Sequence, residues 1–286
     1  MRFQVFKSGG KQGLGVVDAQ GQLRGCLADE HAYPGTLETL IGQGGAALQA
    51  AGRCLLEGRA FSAEDIEVLP PLQSPSKIIC IGLNYLEHAK EGGFQPPTYP
   101  AVFARFASSL VASDAPLVRP KASDQFDFEG ELVVVIGKPG RHIAKEDALE
   151  HVAGYSVFND GSVRDYQMKG AQWTVGKNFD GTGAFGPYLV TPDEVPEGAK
   201  GLRLQTRLNG AVVQDASTDD MIFDVATLIS LLSEALSFQA GDVIVTGTPP
   251  GVGFTRQPAL FMAAGDVCEV EIEGIGLLRN RVVDEA

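Results

Sequence analysis

Residues 126–137 read FDFEGELVVVIG, and they join three carboxylates to an uninterrupted apolar run. Asp127, Glu129 and Glu131 stand at every second position, which is the spacing of one face of a β-strand. The aliphatic run at 132–136 is typical of a strand buried on both faces. The sequence therefore predicts a buried strand that begins with carboxylates crowded on one side.

A divalent cation would explain why these carboxylates are close together. Glu129 and Glu131 would lie about 6.5–7 Å apart along a strand, and two such carboxylates raise each other's pKa unless a positive charge lies between them. Mg²⁺ prefers oxygen ligands of this kind. Asp160, which ends the apolar run of GYSVFND and precedes Gly161, is a candidate third ligand. The alternative is that the two glutamates face solvent on an edge strand and Asp160 caps a turn.

The composition limits the classes of function. The 286 residues, 44% of them hydrophobic, suffice for one large domain or for a small domain plus a larger one. A net charge of −13 repels phosphate backbones, so nucleic-acid binding is not expected, and an acidic ligand would need a locally positive site. Neither a membrane span nor a secretory signal is present in the pattern, so we expect a cytoplasmic protein that does not bind membranes. The four scattered cysteines indicate neither a disulfide framework nor a zinc site.

The pattern of strands, helices and prolines predicts two domains. Residues 1–70 form a small N-terminal α+β domain with one helical stretch at 36–58, and the prolines at 70, 71 and 75 mark a linker. Residues 71–286 are rich in strands that do not alternate regularly with helices, so we predict a mainly β, α+β fold around a mixed or antiparallel core. Asn209-Gly210 predicts a hairpin. Residues 221–238 predict a helix, with Asp219 and Asp220 at its start.

Three further signals leave alternatives open or are rejected. His88 and Glu91, spaced i, i+3, could act together to take a proton from water, although a surface helix would show the same pattern. Arg105 could clamp a carboxylate near the metal or lie on the surface. The GTGAFG motif at 181–186 has the glycines of a dinucleotide site, but the strand-like segment that begins at Pro187 leaves no helix to bind a phosphate.

Five motifs in order carry a resemblance to a known family. IGLNYLEHAKE, DFEGELVVVIG, FNDGSVRDYQ, KNFDGTGAFGP and TGTPPGVG together resemble the fumarylacetoacetate hydrolase family, from about residue 77 to the C-terminus. The resemblance implies the mixed β-sandwich roll of that family's C-terminal domain. It also implies a homodimer.

The resemblance also implies a set of site residues and a cofactor. Glu129, Glu131 and Asp160 match the family's ligands for one Mg²⁺ or Mn²⁺ ion per subunit, and His88 and Glu91 match the dyad that activates water. The dyad lies in a segment, residues 86–94, that the family uses as a mobile lid. The remaining matches are Lys177, which stabilises negative charge, and Arg164, Gln167 and Thr248, which contact the substrate.

The activity implied is metal-dependent hydrolysis of a C–C bond in a 2,4-dioxo acid such as an acylpyruvate or fumarylpyruvate. The metal and Lys177 would stabilise the enolate that cleavage leaves, and His88 with Glu91 would activate water. An oxaloacetate-type β-keto acid decarboxylase, or a hydratase, isomerase or lyase on the same scaffold, is the alternative. A metal-stabilised scaffold without activity is a third reading, but it gives the His–Glu pair no role.

Overall fold

A computed structural model describes residues 1–93, 95 and 97–286. Phe94, which closes the expected lid segment, lies outside the described residues. The described helices are α1 (Leu37–Gly42), α2 (Gly45–Leu56), α3 (Leu86–Glu91), α4 (Arg164–Gln167) and α5 (Val225–Ala235). The described strands are β1 (Arg2–Ser8), β2 (Lys11–Val17), β3 (Leu23–Leu27), β4 (Arg59–Phe61), β5 (Glu67–Val68), β6 (Ile78–Gly82), β7 (Ala101–Arg105), β8 (Leu110–Val111), β9 (Leu117–Arg119), β10 (Phe126–Asp127), β11 (Gly130–Ile136), β12 (Val152–Asp160), β13 (Ser162–Val163), β14 (Gly183–Val190), β15 (Arg203–Leu208), β16 (Ala211–Ser217), β17 (Val243–Val245), β18 (Val267–Ile272) and β19 (Gly276–Asp284).

The larger of two main sheets has β11 near its centre. Its strands run in the order β4-β3-β2-β1-β14-β12-β11-β17-β6-β7, with β5 beside β1 and β8 beside β14. β11 pairs antiparallel with β12 and β17, and every one of its residues is buried. The pairs β17–β6 and β14–β8 are parallel. The prediction of a mainly β fold with a mixed sheet is therefore confirmed, and so is the buried strand at 132–136.

The two faces of the large sheet are buried in different ways. Leu132 and Val134 of β11 share one apolar cluster with α5 and with the second sheet, whose order is β16-β15-β18-β19-β9. Val133 and Val135 belong to another cluster, which contains the apolar residues of α1 and α2. Alternate side chains of β11 thus enter separate cores, which explains why its sequence is apolar without alternation.

Residues 1–70 extend the same large sheet. β1 pairs antiparallel with β14, and β2, β3 and β4 continue outward from it. The helical stretch predicted at 36–58 is two helices. Gly44 adopts a φ of +93°, which is not a helical conformation and separates α1 from α2. The predicted boundary after residue 70 stays a prediction.

Two local predictions in the second half of the chain have different outcomes. The hairpin is confirmed, since Asn209 and Gly210 both have positive φ and join β15 to β16. The start of α5 was predicted too early. Asp224 caps α5 by accepting a hydrogen bond from the Thr227 N–H, whereas Asp219 and Asp220 lie in a separate 3₁₀ turn.

Asn84 explains this later start. Its side-chain oxygen accepts from the N–H of Phe223, and its main-chain oxygen accepts from that of Ile222. These bonds keep residues 222–223 out of the helix. Within the described ranges, no helix has the length and apolar character that crossing a membrane requires.

Candidate active site

Glu129, Glu131 and Asp160 come together at adjacent ends of β11 and β12. Each offers a carboxylate oxygen, these oxygens lie within 4.8 Å of one another, and all three residues are buried. The Asp160 N–H donates to the Glu129 carbonyl oxygen at 2.8 Å, which fixes the two strand ends relative to each other. Three converging carboxylates suit a hard divalent cation such as Mg²⁺ or Mn²⁺. The predicted ligand set therefore fits the predicted cofactor.

Three buried cationic side chains surround these carboxylates. Lys177 donates to Glu129 and to Asp160, at 2.6 Å in each case. Arg164 forms an ion pair with Glu129, with 2.7 Å between Nη1 and Oε1. Arg105 forms a buried ion pair with Asp160. The cluster is thus held together by charge-assisted hydrogen bonds.

With every group ionised, the cluster would carry one more negative than positive charge, because Asp127 is also buried within it. Burial, with the neighbouring charges of Asp160 and Glu129, raises the pKa of Glu131 well above its usual value. Burial alone would also raise the pKa of Glu129, but Arg164 and Lys177 hold that pKa low. Glu131 is therefore the carboxylate that its protein neighbours compensate least. A divalent cation would supply the missing charge and leave the site net positive for an acidic substrate.

Arg105 and Asp127 support the site, and the sequence analysis did not assign them. The Arg105 guanidinium contacts Asp160, donates to Thr182 Oγ1 at 2.8 Å and to the Gly161 carbonyl oxygen at 3.2 Å, and is completely buried. The two alternatives for Arg105 were a carboxylate clamp near the metal and a surface position. The structure shows it buried, with its guanidinium bound to the carboxylate of Asp160. Its signal was the alternation of β7, in which Phe103 and Arg105 point inward.

Asp127 anchors two parts of the site, the loop that contains Gly253 and Phe254 and the side chain of Arg164. Its carboxylate accepts from the main-chain N–H groups of Gly253 and Phe254, at 2.8 and 3.0 Å, and from Arg164 Nε at 2.8 Å. Burial raises the pKa of Asp127 above its usual value, with Arg164 opposing. The first acid of the period-two pattern therefore positions Arg164, and Arg164 in turn contacts the second acid, Glu129.

His88 and Glu91 lie on α3, at the edge of the cavity. The distance between His88 Nδ1 and Glu91 Oε2 is 3.6 Å, which is too long for a hydrogen bond. Glu91 accepts instead from the Gly251 N–H at 2.9 Å and from Thr255 Oγ1 at 2.6 Å. Burial would raise the pKa of Glu91, but His88 and these donors lower it. The predicted dyad is adjacent but not hydrogen-bonded, and Glu91 attaches α3 to the loop at 246–255.

The three residues predicted to contact the substrate all line the cavity. Gln167 Oε1 accepts from Arg164 Nη1 at 2.8 Å, which directs the amide N–H groups of Gln167 away from the arginine. The Thr248 hydroxyl donates to the Gly130 carbonyl oxygen at 3.0 Å. Their contact with a substrate stays a prediction.

The cavity is small, and part of its wall is apolar. Its volume is about 50 Å³, and both His88 and Lys177 line it. Trp173 and Phe103 form the wall, with ring centroids 5.6 Å apart. Gly82 lies directly beneath the indole, since a Cβ atom there would be 2.2 Å from Trp173 Cζ3. A short acid with a polar end and little apolar bulk fits this arrangement.

Comparison with known proteins agrees with the geometry. Residues 77–283 match the model of the fumarylacetoacetate (FAA) hydrolase C-terminal family. The chain is 43% identical over 253 residues to a human protein named oxaloacetate tautomerase FAHD2A, mitochondrial. The aligned region covers 87% of this chain and 80% of that protein.

Two solved structures share the fold over the whole of both chains. A fumarylacetoacetate hydrolase from Exiguobacterium antarcticum is 36% identical, with a TM-score of 0.87. A 5-carboxymethyl-2-hydroxymuconate delta-isomerase from Mycobacterium smegmatis is 28% identical, with a TM-score of 0.78. The names of these relatives cover hydrolysis, isomerisation and tautomerisation. On the family match and the shared fold, the chain belongs to the fumarylacetoacetate hydrolase family.

Proposed function

We propose that this protein is a metal-dependent tautomerase that interconverts the keto and enol forms of oxaloacetate or a closely similar short 2-oxo dicarboxylic acid. The observation that carries the proposal is the position of His88. Its buried imidazole lines the same small cavity as Glu129 and Glu131, and it makes no hydrogen bond to Glu91. A proton-transfer group therefore stands beside a site for a 2-oxo acid without the paired base that would activate water.

The chain's own residues can perform this proton transfer. From the keto form, His88 is placed to take a proton from carbon 3, and a proton added to the resulting enolate oxygen gives the enol. From the enol, the hydroxyl proton is lost and His88 returns a proton to carbon 3, so neither direction loses or gains atoms. Lys177, fixed by Glu129 and Asp160, supplies positive charge where the oxygen becomes negative. Trp173 and Phe103 line the same cavity with apolar surface, which favours the exclusion of water during the proton transfer.

Glu129, Glu131 and Asp160 would hold the metal. A bound Mg²⁺ or Mn²⁺ would act as a Lewis acid that polarises the 2-oxo group and makes the neighbouring C–H more acidic. The human relative whose name is oxaloacetate tautomerase supports this choice of substrate.

Hydrolysis of a C–C bond in an acylpyruvate is the second candidate. It is favoured by the 3.6 Å separation of His88 and Glu91, which a small movement of α3 would shorten to a hydrogen bond that can activate water. The fumarylacetoacetate hydrolase with a TM-score of 0.87 also supports it. Decarboxylation of oxaloacetate would use the same cavity without attacking water.

One assay separates the three reactions. Oxaloacetate enriched in its enol form and, separately, acetylpyruvate are mixed with the enzyme in Mg²⁺ or in EDTA, and NMR follows both tautomers and any pyruvate. We expect Mg²⁺-dependent loss of the enol without pyruvate, and its abolition in Glu131→Gln but not in the surface control Glu271→Gln. Pyruvate from oxaloacetate would indicate a decarboxylase, and cleavage of acetylpyruvate would indicate the hydrolase. Enol decay at the same rate with and without enzyme would refute the tautomerase.

A homodimer and a cytoplasmic location remain part of the proposal. Sedimentation velocity at low and high protein concentration would test the dimer.

A further inference from the structure

Gln214 lies in the second sheet, outside the cavity, yet its side chain contacts two parts of the site. Its amide is buried and makes four hydrogen bonds. Oε1 accepts from the Gly130 N–H at 3.0 Å and from Thr206 Oγ1 at 2.7 Å. Nε2 donates to Thr248 Oγ1 at 2.9 Å and to the Pro249 carbonyl oxygen at 2.8 Å. The amide thus joins the strand between Glu129 and Glu131 to the loop at 246–253.

The directions of these bonds are unambiguous. A main-chain N–H can only donate and a carbonyl oxygen can only accept, so Gly130 and Pro249 fix which end of the Gln214 amide is the oxygen. The same reasoning applies to Thr248, whose hydroxyl lies 3.0 Å from the Gly130 carbonyl oxygen and must donate its only proton there. The oxygen of the same hydroxyl accepts the hydrogen bond from Gln214 Nε2.

This arrangement determines what Thr248 can offer to an acid. Its hydroxyl has no proton left for a carboxylate. The main-chain N–H of Thr248 finds no acceptor among the residues that the structure describes, and Thr248 lines the cavity. The preceding N–H, that of Gly247, already donates to Glu131. Of these two consecutive main-chain donors, the first is bound to a metal ligand, and the second belongs to a residue that lines the cavity and has no acceptor among the described residues.

We propose that Gln214 is a positioning residue, which holds the 246–253 loop so that the Thr248 main-chain N–H, and not its hydroxyl, binds the carboxylate of the substrate. The inference rests on the proposed function only in taking a 2-oxo acid as the ligand. The arrangement also requires glycine at position 130, because a Cβ atom there would lie 2.3 Å from Thr206 Oγ1. The second sheet can approach the Glu-Gly-Glu segment closely only because that side chain is missing.

Oxalate binding to the Mn²⁺-loaded enzyme tests the proposal without turnover. Trp173 is the only tryptophan and lines the cavity, so its fluorescence reports binding, and calorimetry gives the Mn²⁺ affinity separately. Thr248→Val should weaken oxalate clearly less than Gln214→Met does, because no contact to the ligand is removed and the Gln214 amide still holds the loop through the Pro249 carbonyl oxygen. Gln214→Met should weaken oxalate by about tenfold or more, the effect of losing a hydrogen bond to a charged group.

Gln214→Glu provides a second variant if the methionine variant does not fold. The introduced carboxylate can still accept from Gly130 and Thr206, so Mn²⁺ affinity should be retained, while repulsion from the Pro249 carbonyl oxygen releases the loop and weakens oxalate. A buried carboxyl has a raised pKa, and its protonated form can donate to Pro249. Oxalate affinity relative to wild type should therefore recover as the pH is lowered from 8 to 6, which a merely structural role would not produce. Gln205→Glu on the neighbouring strand is the matched control.

Two results would overturn the proposal. Loss of oxalate binding in Thr248→Val as large as that in Gln214→Met, or larger, would assign the contact to the hydroxyl. Oxalate binding at the wild-type level in the Gln214 variants would remove the positioning role. If the wild-type enzyme binds oxalate but does not turn over oxaloacetate, the tautomerase proposal fails while this inference is still tested.

Discussion

At the scale of single residues, the buried charges of the site depend on one another. Arg105 is the clearest case, because its guanidinium and the carboxylate of Asp160 are both completely inaccessible to water. Removing one partner of such a pair leaves the other charge buried and uncompensated. The stability of the fold and the binding of the metal should therefore be coupled at Arg105.

Arg105→Met tests this coupling. In EDTA we expect it to lower the free energy of unfolding by about 3–5 kcal/mol, the usual cost of breaking a buried ion pair. Mg²⁺ should stabilise the variant more than the wild type, because the cation compensates Asp160 in place of the arginine. Urea unfolding with and without Mg²⁺ measures both quantities. Arg279→Met, which removes a half-exposed arginine, serves as control, and an equal effect of Mg²⁺ on all three proteins would contradict the coupling.

Gly82→Ala concerns the apolar part of the cavity wall, which Trp173 and Phe103 form. The added methyl group would overlap the Trp173 ring, so we expect the indole to leave its packed position beside Phe103 and to become more exposed to solvent. We expect a red shift of the tryptophan fluorescence and a fall of about tenfold in kcat/KM for oxaloacetate, as misplacement of a cavity wall typically costs. Gly42→Ala, with open space at its Cβ, is the control. An unchanged emission spectrum would show that the wall does not depend on Gly82.

At the scale of secondary-structure elements, capping determines where α5 begins. Asp224 accepts from the N–H and the hydroxyl of Thr227, and its carboxylate also pairs with Lys145 and Lys200. The buried environment opposes ionisation, but the hydrogen bonds from Thr227 and the lysine charges lower the pKa of Asp224 to about 2. The position of this carboxylate, rather than the acids four and five residues earlier, therefore sets the helix start.

Asp224→Ala should lower the free energy of unfolding by about 1 kcal/mol at pH 7, the typical cost of losing an N-cap. Asp224→Asn should cost less, since asparagine caps equally well and exposed lysine pairs contribute little. Because the pKa is depressed on folding, the contribution of the carboxylate is complete above the unfolded value, about 3.9, and is lost as the pH falls towards 2. Urea midpoints of the variants at pH 7 and pH 3 measure this. A constant difference between alanine variant and wild type across that range would exclude the assignment.

The elements also show how far the sequence could predict the fold. Strand β11 and the Asn209-Gly210 hairpin could be predicted from local patterns, since an apolar run indicates a buried strand and a turn dipeptide indicates a hairpin whatever the rest of the chain does. The split of the N-terminal helix depends on a glycine with positive φ, which a helical pattern conceals. The late start of α5 depends on Asn84, which is remote in the sequence.

The same distinction applies to the site. Glu129, Glu131 and Asp160 could be found because they flank buried runs. The two glutamates directly precede the apolar run at 132–136, and Asp160 ends the apolar run of β12. Gln214 could not, since its role depends on contacts between segments that only the folded chain brings together. Arg105 could be named only as one of two alternatives, because its partner Asp160 is remote in the sequence. No local pattern distinguishes Gln214 from an ordinary strand residue.

At the scale of the whole molecule, metal binding should be visible as stability. A ligand that binds only the folded state at about 100 times its Kd adds about 2.7 kcal/mol to the free energy of unfolding. We therefore expect the melting temperature to rise with Mg²⁺ or Mn²⁺, and to rise again when oxalate is added to the metal-loaded protein. A rise with metal alone, to which oxalate adds nothing, would favour the structural scaffold over the enzyme. Glu131→Gln should show neither rise.

The N-terminal region raises the remaining question at this scale, which is whether residues 71–286 can fold without it. β1 contributes Phe3 and Val5 to the buried cluster that also contains Phe185 and Leu189 of β14. Deletion of residues 1–70 would expose this cluster and leave β14 with an unpaired edge. We expect the deleted chain to aggregate, and Phe3→Ala in the full chain to cost about 3–5 kcal/mol. A monodisperse fragment 71–286 that binds Mn²⁺ with wild-type affinity would instead show that the predicted division after residue 70 separates two independent folding units.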